Sequence, residues 1–589
     1  MTVVATVVGC AANAGPGPAT SAAANHAAAN HAAHAAATAG SGTRSTPPHQ
    51  APVYTAQTVA QAKAIVARMS VQQKVGQLLV PTIPGLGADQ GGAALVRDYH
   101  LGGVIYFQSN VRTARQVAAL SHGLQHAALT QRPAIPLLIG TDQEGGIVSR
   151  LAAVTTQFPG QMAGGATRDP ALVQAQERAT GTQLRTMGLN LDYSPVADVN
   201  TNPANPVIGI RSFGSRPGLV SAMTSAAVAG FHQAGVAAVA KHFPGHGDTN
   251  VDSHTGLPVI HHTLRQWWHI DAPPFQAAIR AGVDEIMIAH IVVPALDNSG
   301  QPASLSYKIV TGTLRDKLGY QGVVTTDSLL MAGVLKGHTP AEVAVQAIQA
   351  GCDQLLMPGS VPVAYQALLA AVRDGRISTP RLDASVTRII TLKVAKGLLA
   401  DPSGPPRPAA NNENTPPQRN LAAQLGLRSV TVARNNPPAS SGTGQPRPVL
   451  PFSRGERVYV AGPSAAGLGG SLATDLAATG GQLVSSPAAA DVIVVATLNA
   501  VGETAQQQLA QGLQATGTPV VVVATGEPYD LGLFPAAAGA VATYSVSSAS
   551  MAGAAAVLTG RQRASGQLPV SIPGSSARAA LRYGTGLRS

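Results

Sequence analysis

The stretch VAAVAKHFPGHGDTNVDSHTGLP, Val236 to Pro258, begins as an unbroken apolar run and ends as a loop of Gly, Pro, His and Asp. An apolar run without alternation reads as a strand buried on both faces, the habit of parallel sheets. Its only charged or titratable groups, Lys241 and His242, stand at the C-terminal end, where a parallel barrel carries its chemistry. The same unit recurs along the chain. VGQLLVP from Val75, GGVIYF from Gly102, PLLIGTD from Pro136, NLDYSPVADV from Asn190, EIMIAHIVV from Glu285, GVVTTD from Gly322 and QLLMPG from Gln354 are seven further runs, separated by helical patterns. Eight strands alternating with helices over residues 51–401 predict an α/β fold, an N-terminal (β/α)8 TIM-type barrel.

Working outward, PSGPPRPAANNENTPPQR over residues 402–419 is dense in Pro and Asn and predicts a linker without helix or strand. Beyond it, RVYVAG, ADVIVVATL, TPVVVVATG and AVATYSV alternate with Ala-rich helical stretches, so residues 420–589 predict a smaller α/β domain of open-sheet, sandwich type. At the other end, MTVVATVVGC resembles the lipobox at which bacterial lipoproteins are cleaved and acylated, which implies a lipid anchor on Cys10 and an extracytoplasmic, cell-surface address. Residues 11–50 hold no large apolar side chain to bury and predict a tether.

Bulk composition excludes several classes. The chain has 589 residues, too many for one ordinary domain. Ala and Gly inflate its mean hydropathy of +0.13, and no apolar run approaches the roughly 18 residues of a membrane span. The net charge of +11 suits anionic polymers, but Lys and Arg are scattered, which argues against nucleic acid. Two cysteines, Cys10 and Cys352, exclude a disulfide framework and a cysteine-rich metal site; Cys352 reads as a small buried hydrophobe. No cofactor is expected.

Ionisable residues gather at strand ends. Asp142 ends the third run, Asp198 follows the fourth, Lys241 and His242 end the fifth, His290 sits late in the sixth and Asp327 ends the seventh, while Arg150 and Arg211 occupy loops after the third and fourth. Asp327 is either the N-cap of a helix SLLMAGVL or a catalytic group, and its rim position favours the second. Lys241 and His242, taken alone, read better as a structural ion-pair partner and a satisfied buried histidine. Asp252 and His254 are two residues apart, so in an extended stretch their side chains share a side and can pair. Such a carboxylate fixes the imidazole tautomer and leaves the other nitrogen to exchange a proton with substrate. A zinc site built from His242, His246, His254, Asp248 and Asp252 is the rival reading, but none of the HExxH spacings occurs.

Three segments, MSVQQKVGQLL from Met69, KHFPGHG followed by DSH, and TTDSLLM, resemble glycoside hydrolase family 3 and within it the bacterial β-N-acetylglucosaminidases. The likeness runs over residues 55–400, with residues 420–589 similar in pattern to the family's second domain. It implies that Asp327 is the nucleophile, His254 the acid/base and Asp252 the residue orienting it, and that Asp142, Arg150, Arg211, Lys241 and His242 line a sugar pocket. It implies retaining hydrolysis of terminal β-linked N-acetylglucosamine, from a glycan or muropeptide. Retaining glycosidases normally pair two carboxyl groups. A histidine in the second role would not repel an anionic acceptor, so a phosphorylase stands as an alternative. A β-glucosidase of the same family would draw its acid/base carboxylate from the second domain, where Glu503 and Glu527 are candidates. From another class, a tethered lipoprotein could use the pocket only to bind wall sugars. The sequence leaves the oligomeric state open.

Overall fold

The apolar runs become strands, each shorter than the run itself. In the computed structural model, which describes residues 54–400, 414–437, 447–465, 472–574 and 579–588, the first region carries β1 (Leu79–Val80), β2 (Gly103–Tyr106), β3 (Leu138–Thr141), β4 (Leu191–Asp192), β5 (Ala237–Phe243), β6 (Glu285–Ile288), β7 (Val323–Thr326) and β8 (Leu355–Leu356). Strands β2 to β7 pair in chain order, all parallel, in one curled six-stranded sheet. β1 pairs in parallel with β8 as a separate ladder, and isolated parallel bridges Thr82–Ile105 and Thr325–Gln354 lie between the two. All seven residues of β5 are buried, as a strand covered on both faces requires.

Local chemistry sets the helices between them. Asp169 caps the helix Pro170–Thr186 by accepting the N–H groups of Ala171 and Leu172, and Pro170 fills the first position, where no N–H is needed. One reading needs correction. Val75 to Gln77 belong to a helix, Val71–Gln77, because Ser70 and Gln73 form a capping box that starts it and carries it into the run expected to be strand.

The second region is a six-stranded sheet of order β9-β14-β13-β12-β10-β11, formed by β9 (Thr431–Asn435), β10 (Arg457–Ala461), β11 (Gln482–Leu483), β12 (Val492–Thr497), β13 (Val520–Ala524) and β14 (Gly539–Ala542). β9 is antiparallel to β14 and the other pairs are parallel. Part of the expected linker is helical: Pro416–Ser429 starts at Thr415, whose capping box with Gln418 and following Pro416 initiate it. Residues 51–589 cluster as one unit, and the second region docks on the first. Met162, Ala163 and Ile210 share an apolar cluster with Tyr529, Leu531 and Leu568. Gln567 N–H donates to Ala166 O at 3.0 Å and Ser215 N–H to Pro569 O at 3.0 Å.

Cys352 is buried, and burial pushes its thiol up to about 12, so it stays protonated. Cys10, the expected tether 11–50 and residues 402–413 of the expected linker lie outside the described residues.

Candidate active site

A cleft of about 560 Å³ opens at the C-terminal ends of the first sheet's strands, and Asp142, Arg150, Arg211, Lys241, His242, Asp252, His254 and Asp327 all line it. Sequence positions up to 185 residues apart are thus brought to one wall because each follows a strand of the same parallel sheet.

The floor is a buried ion network. Lys241 Nζ lies 2.7 Å from Asp142 Oδ1 and 2.7 Å from Glu144 Oε1, and Arg211 grips Glu144 in a fork at 2.8 and 2.9 Å. Burial works against the charge on Glu144, yet Arg211 and Lys241 outweigh it and hold the carboxyl well below its usual range. For Lys241, burial favours the neutral amine, but Asp142 and Glu144 raise its pKa instead. Removing one partner of such a network leaves a buried charge exposed to no counter-charge. A Glu144→Gln variant is therefore expected to lose about 3–5 kcal/mol of unfolding free energy in urea titrations; a loss below about 1 kcal/mol would show that the pair does not brace the floor.

Asp198, buried below the cleft, accepts from His242 Nδ1 at 2.7 Å and from the backbone N–H of His246 at 2.7 Å. His242 therefore carries its proton on Nδ1 and turns Nε2 toward the cleft, 3.4 Å from Arg211 Nη2. Burial and the neighbouring His242 lower His246 to about 4, so it is neutral at pH 7. Thr249 Oγ1 donates to His246 O and accepts from Nδ1, which leaves Nε2 to accept the Ser253 hydroxyl at 3.0 Å.

Asp327 follows β7 and is half-buried. Burial opposes its ionisation, but His242, His290, the Ser328 N–H, which donates to Oδ1 at 2.7 Å, and Lys241 outweigh it and hold the carboxyl below its usual range. Oδ2 has no hydrogen bond to protein among the described residues. The alternative reading of Asp327 as an N-cap does not hold: residues 328–331 turn away, and the helix Ala332–Leu335 starts without a side-chain cap. His290 beside it donates through Nε2 to Ser328 O at 2.9 Å and accepts through Nδ1 from Ser304 at 2.7 Å.

Asp252 and His254 do pair, with Nδ1 2.7 Å from Oδ1, but the backbone is a turn and not an extended stretch. The same Oδ1 accepts the His254 backbone N–H at 2.9 Å, so one carboxylate oxygen closes the turn and fixes the ring. Ser253 between them is buried and bound by His246, and its carbonyl accepts Gly333 N–H at 3.2 Å, while the His254 side chain stands 62% exposed at the mouth. The loop's base is closed by His262, whose Nδ1 lies 2.7 Å from Asp271 and Nε2 3.3 Å from Asp248. Hydrogen bonds to Asp248 and Asp271 raise His262 to about 10. Since its folded pKa lies above its unfolded one, the clamp's stabilisation is complete below about pH 6.5 and fades as pH rises through about 10. Replacing His262 with Gln should accordingly cost about 2 kcal/mol at pH 6 and nothing measurable at pH 10.5, read as paired thermal melts; an equal loss at both values would contradict this.

The zinc reading meets a donor set already engaged: His242 with Asp198, His246 with Thr249 and Ser253, His254 with Asp252, and Asp248 with Thr201 and His262. Among the described residues no group of three or more His, Cys, Asp or Glu is arranged to hold a metal ion. Glu503 and Glu527, the second-domain candidates, are not among the cleft's lining residues.

A family model described as Glycosyl hydrolase family 3 N terminal domain matches residues 70–392, and its companion, the C-terminal domain, matches residues 445–586. The chain belongs to glycoside hydrolase family 3. This family 3 glycoside hydrolase is 34% identical to a solved β-N-acetylglucosaminidase of Paenibacillus sp. str. FPU-7, with a TM-score of 0.78 over 85% of this chain and 99% of that one. It is 38% identical to Beta-hexosaminidase A of Pseudoalteromonas piscicida over 58% of its own length and 61% of that enzyme's, so the match spans less than two thirds of that relative. Beta-hexosaminidase LpqI of Mycobacterium tuberculosis is 33% identical over 59% of this chain and 89% of that one.

The sequence places Asp198 among the strand-end rim groups, whereas it lies buried below the cleft as the partner of His242, and it singles out neither Glu144 nor Ser253. Glu144 stands in the same TDQEGG segment as Asp142, at the same spacing that pairs Asp252 with His254, and that was the available signal.

Proposed function

We propose that this family 3 enzyme hydrolyses terminal, non-reducing β-linked N-acetylglucosamine with retention of configuration, Asp327 acting as nucleophile, His254 as acid/base and Asp252 as its orienting partner. One observation carries the reading: the cleft that holds an ionised Asp327 also holds the Asp252–His254 pair at 2.7 Å. Of the other lining carboxylates, Asp142 is paired with Lys241, and Glu144 with both Lys241 and Arg211. Neither is free to deliver a proton. Of the lining imidazoles, His242 is buried with Nε2 beside Arg211 and His246 accepts the Ser253 hydroxyl, which leaves His254, exposed at the mouth.

In the first step Asp327 Oδ2 forms a bond to the anomeric carbon as the glycosidic C–O bond breaks, and His254 gives the Nε2 proton to the departing oxygen. In the second, His254 takes a proton from water, the water oxygen bonds to the anomeric carbon, and the bond to Asp327 breaks. Asp142, Arg150, Arg211, Lys241 and His242 hold the sugar hydroxyls. The names of the relatives support the acetamido sugar as substrate.

The curled sheet and the β1–β8 ladder act as one eight-stranded (β/α)8 ring in this account, supported by the bridges Thr82–Ile105 and Thr325–Gln354. The enzyme works at the cell surface, lipid-anchored through Cys10, on fragments of peptidoglycan, a reading supported by the lipobox-like MTVVATVVGC and the net charge of +11.

Incubating residues 51–589 with an aryl β-N-acetylglucosaminide and the matching β-glucoside tests the assignment. Release from the acetamido sugar is expected. Preference for the glucoside would move the acid/base to the second domain, and tight sugar binding without turnover would leave a binding protein.

A further inference from the structure

Glu527 stands where the second region meets the cleft wall. It follows β13, and its backbone N–H donates to Asn499 Oδ1 at 2.9 Å. Its side chain crosses to the first region, where Oε1 accepts the backbone N–H of Ile210 at 3.0 Å. Ile210 is the central residue of the single turn Gly209–Arg211, whose last residue is the Arg211 that grips Glu144 on the cleft floor. The approach is close. A Cβ on Gly209 would lie 1.9 Å from Glu527 Oε1, and Gly209 has φ +45°, so glycine is the residue that admits the carboxyl there. Glu527 Oε2 is buried with no protein partner, and burial pushes the group up to about 7.

A carboxyl held in an apolar interface by one backbone N–H is unfavourable for stability alone, since an apolar side chain would fill the same space without the desolvation cost. What it does provide is a fixed acceptor for a turn that has no side-chain cap of its own. We propose that Glu527 is a positioning residue: by holding Ile210 N–H it sets the Gly209–Arg211 turn, and with it the Arg211 guanidinium, at the height the bound sugar requires. The second domain then serves substrate affinity through the first domain's backbone and not by supplying the acid/base group. This rests on the proposed sugar-binding role of Arg211.

The test compares three variants of residues 51–589 on an aryl β-N-acetylglucosaminide, with calorimetric titration of N-acetylglucosamine alongside. Glu527→Ala is expected to raise KM and the sugar Kd about five- to tenfold with kcat changed less than about twofold. Glu527→Gln, whose amide oxygen still accepts Ile210 N–H, is expected to restore both. Tyr529→Phe removes an interface contact of the same kind, the Asn200 Nδ2 hydrogen bond at 2.9 Å, and is expected to lower Tm without moving KM. The proposal is overturned if Glu527→Ala leaves KM and Kd unchanged, or if Tyr529→Phe raises KM equally. It is overturned too if Glu527→Ala loses kcat by about 100-fold and azide restores it, the signature of a missing proton donor. A wild-type protein that binds the sugar but does not turn over defeats the hydrolase reading and leaves the Kd comparison to decide on Glu527. Absence of both binding and turnover defeats both.

Discussion

Asp327→Asn is expected to lower kcat on an aryl β-N-acetylglucosaminide by about 10⁴-fold or more while the Tm moves by only a few degrees. The amide keeps the shape of the side chain and can still accept the Ser328 N–H at the position of Oδ1, so folding loses little. It cannot displace the leaving group from the anomeric carbon to form the covalent intermediate, because the attacking atom no longer carries charge. The shorter variant Asp327→Gly makes a sharper point. Azide entering the vacated space should recover turnover and yield the α-glycosyl azide, inverted relative to the normal product, since the small anion attacks from the nucleophile's side. Loss of less than about tenfold in Asp327→Asn would remove this residue from the chemistry.

The second large effect belongs to the dyad. His254→Ala should lower kcat by about 10² to 10⁴-fold on substrates whose leaving group needs a proton, the usual range for a positioned acid/base. With a nitrophenyl leaving group the first step hardly needs that proton, so the loss should shrink there and the covalent intermediate should accumulate as a burst. Asp252→Asn is expected to fall between wild type and His254→Ala. The asparagine side chain can still close the turn on the His254 N–H, but it no longer stabilises the imidazolium through Nδ1. Stopped-flow traces on substrates graded by leaving-group pKa check this. A His254→Ala loss independent of the leaving group would contradict proton transfer by His254.

The fold was legible where burial on both faces makes a strand read as a continuous apolar run, as in VAAVAKHF. It was less so where local signals compete. Ser70 and Gln73 start a helix that carries into Val75, and Pro195, which has no N–H to donate, follows a β4 only two residues long. The edge strands β9 and β11 escaped because an edge needs no apolar pattern: β9 is the mixed TVARN, and both residues of β11 are exposed. In the site, Asp142, Lys241, His242 and Asp327 were legible because each closes an apolar run, and Arg150, Arg211, Asp252 and His254 because they stand in the loops that follow such runs. Their supports were not, since they depend on pairings that only the fold creates. Glu144 meets Arg211 across 67 residues, Asp198 meets His242 across 44, and Glu527 meets Ile210 across 317. The Asp252–His254 pair was found from a two-residue spacing, yet the reason given was an extended strand, and the actual cause is a turn closed by the carboxylate itself.

Retention through Asp327 requires a covalent sugar on that residue, and trapping it is the most direct measurement. A 5-fluoro β-N-acetylglucosaminyl fluoride forms the intermediate faster than it releases it, so intact-mass spectrometry followed by peptide mapping reads where the sugar resides. We expect one fluorosugar per chain, on the peptide containing Thr325, Thr326, Asp327 and Ser328, and none in Asp327→Asn. A label on any other residue, or turnover with inversion and no label at all, would contradict the account.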